Sequence, residues 1–172
     1  GALVGGIYAC GELGVFEEWV RAITKLDMIR LLDVSWGKEG LFEGERIVGV
    51  FKELIGDRRI EDLSIDYTAV AADIRREKEI WLKRGPLFAA IRASISLPLF
   101  FTPFEINGMK LLDGGILNPV PIAPTFEDGT DLTVAVNLGA PPSGNPKPML
   151  EVESKDRSDS PSDGVHAKIN DF

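Results

Sequence analysis

The sequence has one cysteine and one histidine in 172 residues. Cys10 alone cannot form an internal disulfide, so a secreted, disulfide-stapled scaffold is excluded. His166 alone cannot build a zinc site from histidines. It lies in a polar tail, so a Ser-His-Asp triad contained within the chain would have to draw its base from there. Positive charge is also scarce: 19 Lys and Arg stand against 27 Asp and Glu, a net charge of −8. That balance argues against nucleic acid and against electrostatic docking on anionic lipid. No apolar run approaches the roughly 20 residues that a membrane-spanning helix needs. No basic stretch followed by a short apolar one marks a signal peptide. A cytoplasmic location is therefore expected.

What is present is a globular composition, 44% apolar and 27% charged. The length suits one domain with a real core. Gly1-Ala-Leu-Val-Gly-Gly-Ile-Tyr-Ala-Cys-Gly11 reads as a short helix of small and apolar residues closed by glycine. It has no initiator methionine and no capping residue, so the chain is expected to begin inside an element. Phe16, Trp19, Val20 and Ile23 predict a helix over Val15 to Lys25. Ile47, Val48, Phe51, Leu54 and Ile55 predict another from Glu45 to Ile55, stopped by Gly56. Ser35 to Gly44 is glycine-rich and reads as a loop.

Asp66 to Ile74 is nearly continuously apolar and fits a strand buried on both faces. Arg75-Arg76 turns it toward a partner strand at Lys78 to Leu82. Pro86 suits the first turn of a helix running to about Ser94. Phe104 to Ile106 and Met109 to Leu112 flank Asn107-Gly108, a strong hairpin signal. Leu132 to Leu138 is expected to be a further buried strand. Strands alternating with helices predict an α/β layered domain over residues 1–142. Residues 143–172, rich in Pro, Ser, Asp and Lys over much of their length, predict a polar flexible loop or tail.

The chemistry centres on Asp113-Gly114-Gly115. Two glycines after an aspartate allow a sharp turn and a close approach by a ligand, and they leave the carboxylate uncrowded at a strand end. Taken alone, the run reads first as a tight turn capped by Asp. Ser94 and Ser96 read as a helix end before Pro98, where hydroxyls satisfy backbone groups. Cys10 reads as a small buried side chain, Asp73 as a turn cap and Arg92 as a surface ion-pair partner. Trp19, Trp36 and Trp81 read as core, and Lys147 to Arg157 as a solvated stretch.

Three stretches together resemble one family. These are Gly85-Pro-Leu-Phe-Ala-Ala-Ile-Arg-Ala-Ser-Ile-Ser-Leu-Pro98, then Phe101-Thr-Pro-Phe104, then Gly108-Met-Lys-Leu-Leu-Asp-Gly-Gly-Ile-Leu-Asn-Pro-Val-Pro121. They are similar to the second half of a patatin-like phospholipase domain. Ala93-Ser-Ile-Ser-Leu-Pro98 resembles that family's Ala-Ser-x-Ser-x-Pro segment, and Asp113-Gly114-Gly115 its aspartate motif. Gly1 resembles the last glycine of the Gly-x-Ser-x-Gly turn. The resemblance covers about residues 1–140.

It implies a three-layer α/β/α fold, N-terminally incomplete, and hydrolysis of lipid acyl esters by a Ser-Asp dyad without histidine, metal or organic cofactor. Asp113 would be the general base, with Gly1, Gly114 and Gly115 positioning substrate. The serine expected two residues ahead of Gly1, and the glycine-rich oxyanion loop, are not in these residues. Partners implied are a lipid or other acyl ester and transient membrane contact, with no nucleic acid. Two other readings stay open: a non-catalytic regulatory or interaction module, and a phosphate-binding α/β domain using Gly114 and Gly115.

Overall fold

The computed structural model describes residues 1–33 and 41–139; Ser35 to Gly40 of the expected loop, Trp36, His166 and the expected tail lie outside them. A compact unit spans Gly1–Leu138. Its elements are α1 (Ala2–Ala9), α2 (Leu13–Ala22), α3 (Lys25–Leu31), α4 (Glu45–Ile55), β1 (Ala69–Asp73), β2 (Lys78–Leu82), α5 (Leu87–Ser94), β3 (Phe104–Ile106) and β4 (Met109–Asp113), with short 3-10 turns between.

The four strands form one sheet in the order β2-β1-β4-β3, and every pairing is antiparallel. The hairpin at Asn107-Gly108 forms as expected. Both residues have positive φ, 50° and 75°, which a two-residue turn of matching twist requires. Its register pairs Ile106 with Met109 and Phe104 with Leu111. β1 is buried at all five positions and is shorter than the expected Asp66 to Ile74. Asp66 to Thr68 stay outside the sheet, and Tyr67 turns its ring onto α1 instead.

α5 covers the sheet face that carries Ala71 and Leu111, with Ala93 wedged between them. Behind α5 lies the main core. Ile7 of α1, Val48, Phe51 and Ile55 of α4, and Leu87, Phe88 and Ile91 of α5 pack there together. Val48, Phe51 and Ile55 recur at helical spacing on one face of α4, the stripe read in the sequence. An aromatic chain joins three helices: Trp19 meets Phe51 edge-on at 5.2 Å, and Phe51 stacks on Phe88 at 6.4 Å. Fully burying one such ring contributes about 2 kcal/mol.

Three expectations are corrected. The helix over Val15 to Lys25 is two helices, broken at Ile23-Thr24. Thr24 caps α3: its hydroxyl accepts from the Asp27 amide while the Asp27 carboxylate accepts from the Thr24 amide. This reciprocal cap outweighs the continuous apolar spacing. Second, Leu132 to Leu138 is not a buried strand. It has no strand pairing among the described residues, and every side chain in it is exposed. Third, Trp81 is not core. It stands 41% exposed on β2, with its indole N–H donated to Glu79. Among the described residues, no helix is long and apolar enough to cross a membrane.

Candidate active site

β4 delivers Asp113 as its last residue, paired across the sheet with Ala71 of β1. The main chain then tightens into a 3-10 turn over Gly114–Ile116. The half-buried Asp113 carboxylate accepts the Gly115 amide at 2.7 Å, which aims one oxygen back over the turn. The Asp113 amide donates to the Ser96 carbonyl at 3.0 Å, tying the strand end to the segment after α5. Gly114 is required by space. A Cβ there would lie 2.5 Å from the Val70 carbonyl oxygen. At Gly115 a Cβ would come within 3.1 Å of the Asp113 carboxylate oxygen.

Asp113 opens into a cavity of about 430 Å³. Gly1 and Ala2, at the N-terminal end of α1, line it, as do Ser94, Gly114, Gly115 and Asn118. The first amides of a helix have no partner within it, so this end of α1 offers donors and the positive end of a dipole. Tyr67 anchors that end. Its hydroxyl donates to the Ala2 carbonyl at 2.9 Å, and its burial pushes the phenol pKa well up, so it stays a neutral donor. Farther along α1, Gly6 packs against α5 and Tyr67, where a Cβ would meet Ile91 at 2.8 Å and Leu87 at 3.3 Å.

A profile of the patatin-like phospholipase family matches residues 1–126. The chain belongs to this family. It is 44% identical over 144 residues to an uncharacterised NTE-family protein of Mycobacterium tuberculosis, covering 84% of this chain and 40% of that protein. A patatin-like phospholipase domain-containing protein of Caenorhabditis elegans is 33% identical over 147 residues, 81% of this chain and 11% of its own length. Neuropathy target esterase sws of Drosophila melanogaster is 29% identical over 148 residues, 81% of this chain and 10% of that protein. The chain thus spans two fifths of the mycobacterial relative and about a tenth of the animal ones. The helices and four-stranded sheet described above are part of a patatin-like α/β domain.

Of the other chemistry-bearing residues in this patatin-like domain, Ser96 satisfies its own helix. Its hydroxyl donates to the Arg92 carbonyl at 2.7 Å. Ser94 donates instead to the Val70 carbonyl on β1, at 2.7 Å. Asp73 caps the β1–β2 turn, as expected. It accepts from the amides of Arg75 and Arg76 and from the Arg76 guanidinium at 2.8 Å. Burial works to raise its pKa, but these donors outweigh burial and hold it below the ordinary carboxylate value. Cys10 is half-buried, and that burial pushes its thiol pKa up, which suits an inert side chain.

Arg92 overturns its expected role in a surface ion pair. It is only 2% exposed, and its guanidinium donates to the carbonyls of Glu43 and Thr102 and to the Ser96 hydroxyl. Its helical spacing with Phe88 and Ser96 was visible in the sequence, but its acceptors are loop carbonyls, which carry no residue signature. Asp33 was missed altogether. It caps α4 from outside the helix, accepting from the amides of Gly44, Glu45 and Arg46 at 2.6, 2.8 and 3.2 Å. A more apolar hollow of about 350 Å³ lies between α2, α3 and α4. Among the described residues that line it, the one carboxylate, Asp27, is engaged in capping α3. Among the described residues, no His, Cys, Asp or Glu cluster could hold a metal ion.

Proposed function

We propose that this domain forms part of a serine acyl-ester hydrolase for lipid substrates, with Asp113 as its general base. The observation that carries the reading is the meeting of the Asp113 carboxylate and the N-terminal end of α1 at one cavity. By the family's motif, a nucleophilic serine two residues ahead of Gly1 would sit at the mouth of that cavity. A serine hydroxyl is a weak nucleophile until a base takes its proton. Asp113 would accept that proton as the oxygen attacks the ester carbonyl. The amides at the start of α1 would stabilise the developing oxyanion. Collapse expels the alcohol, which takes the proton from Asp113 and leaves an acyl-serine. Water, activated by the same carboxylate, then releases the acid. Asp113, Gly1, Gly114 and Gly115 are the residues proposed for the site. No cofactor enters these steps.

The substrate class follows from the family and from the Drosophila relative, which is named an esterase. Transient contact with a lipid surface is part of the proposal. Its support is an apolar tip where the Leu41 amide donates to the Leu99 carbonyl and Phe100 stands alongside. Leu99 is 81% exposed and has a φ of 71°, a conformation that costs a leucine about 1 kcal/mol or more.

The test is Asp113→Asn in the full-length protein, assayed on a short-chain nitrophenyl ester. Turnover should fall by about a thousandfold or more, with the fold unchanged by circular dichroism. Retained turnover removes the assignment. Fluorophosphonate labelling of a serine upstream of Gly1 supports the enzyme, and absence of labelling supports a non-catalytic interaction module.

A further inference from the structure

We infer that Arg92 and Ser96 are positioning residues for Asp113, an inference that rests on the reading of Asp113 as the base. A buried guanidinium is costly to desolvate unless its donors are satisfied. Burial lowers the pKa of Arg92, opposed by the more distant charges of Glu45, Asp33 and Glu43. Among the described residues, its donors go to backbone carbonyls and hydroxyls. They reach the Glu43 carbonyl, the Thr102 carbonyl at 3.1 Å, the Thr102 hydroxyl at 3.3 Å and the Ser96 hydroxyl at 2.6 Å. The cation also lies over the rings of Phe101 and Phe104, their centroids 5.0 and 5.6 Å from it. Gly44 closes the site, since a Cβ there would lie 2.7 Å from the guanidinium.

Of the groups this cation gathers, Ser96 passes the constraint on to Asp113. Its hydroxyl is held at both ends, accepting from Arg92 and donating to the Arg92 carbonyl one turn back. That double hold fixes the residue just beyond the last turn of α5, and the Ser96 carbonyl accepts the Asp113 amide. Two residues earlier, Ser94 holds the Val70 carbonyl, the group that packs against Gly114. The Ser94–Ser96 segment therefore braces Asp113 and Gly114 from two directions, with Arg92 locking one brace. A carboxylate that must reach a serine oxygen tolerates little displacement. A misplacement of about 1 Å can cost a hundredfold in rate.

The experiment uses the full-length protein and counts active serines by end-point fluorophosphonate labelling, so that kcat is read per labelled serine. Ser96→Ala keeps the carbonyl that accepts from Asp113 but frees it from Arg92. It should lower kcat about tenfold with KM within about twofold. Arg92→Lys, whose three donors sit on a single nitrogen and cannot span the four acceptors, should do the same. The double variant should lose no more than the worse single one, because the two residues act as one unit. A purely structural role would lower the melting temperature and the labelled fraction and leave kcat per serine unchanged. That result overturns the inference, as do multiplicative losses in the double variant. Asp113→Asn is run alongside. If it keeps turnover, the base assignment fails and this inference falls with it. If Asp113→Asn is inactive and Ser96→Ala keeps full kcat per serine, this inference alone fails.

Discussion

Ala69–Asp73 and Leu132 to Leu138 are both short apolar runs rich in Val and Ala, and their fates are opposite. The first is hydrogen-bonded along both edges, to β2 and to β4, and is buried throughout. The second is exposed throughout, Leu132 at 77% and Leu138 at 93%, without strand pairing among the described residues. Composition sets a strand's readiness to be buried. Burial itself needs a neighbouring edge for the backbone and a covering layer for the side chains. β1 gains both, because two hairpin-forming segments flank it in the sheet and α5 lies across it. The catalytic proposal depends on that outcome, since Asp113 is held at the paired end of β4 against Ala71.

The comparison is tested hardest at its buried side. Gly114→Ala forces a methyl onto the Val70 carbonyl of β1, which is backbone and cannot swing away. We expect a loss of about 3 kcal/mol in urea unfolding. A loss under about 0.5 kcal/mol would show that the β1–Gly114 contact is not tight. Asp33→Ala removes the carboxylate that accepts three amides at the start of α4, which carries Phe51 into the core. That should cost about 1–2 kcal/mol, read by the same titration.

Acid should act through carboxylates whose donors hold them ionised. The Gly85 amide, its own amide and Arg59 bring Glu61 down from 4.5 to about 2. Because the folded value is the lower one, Glu61 supports the fold above the unfolded pKa. That support fades as pH falls from 4.5 toward about 2. Glu61→Gln should therefore be less stable than the parent near neutral pH, and the gap should narrow below pH 4.5 and close as pH reaches about 2. A constant gap would mean that the contribution of Glu61 does not depend on its ionisation. The smallest effect belongs to the exposed run. Val134→Thr should change the stability of this chain by less than about 0.5 kcal/mol. A cost above about 1 kcal/mol for the same change in a longer protein would mean that residues 132–138 gain a covered edge there, which would break the contrast.

Local signals were legible where a few neighbouring residues decide the outcome. Asn107-Gly108 specifies its turn because both positions take positive φ. The α4 stripe specifies its buried face because spacing alone sets which side chains align. The break at Thr24 could have been read from Thr24-x-x-Asp27, a reciprocal cap written in sequence, had the apolar periodicity not masked it. Asp33 and Arg92 could not. Asp33 acts eleven residues ahead of the first amide it accepts, and Arg92 binds carbonyls that every residue possesses.

The sequence by itself carried the family likeness. The Asp113-Gly114-Gly115 turn and the Ala93 to Pro98 segment resemble the patatin-like domain, and that resemblance names the carboxylate to test as the proposed base. Only the tertiary structure decided where that carboxylate stands. Asp113 meets the start of α1 because β4 pairs with β1, and because Tyr67 pins α1 at Ala2. Those are contacts between residues far apart in the chain, each with a backbone group common to all residues on at least one side, so no local pattern encodes them.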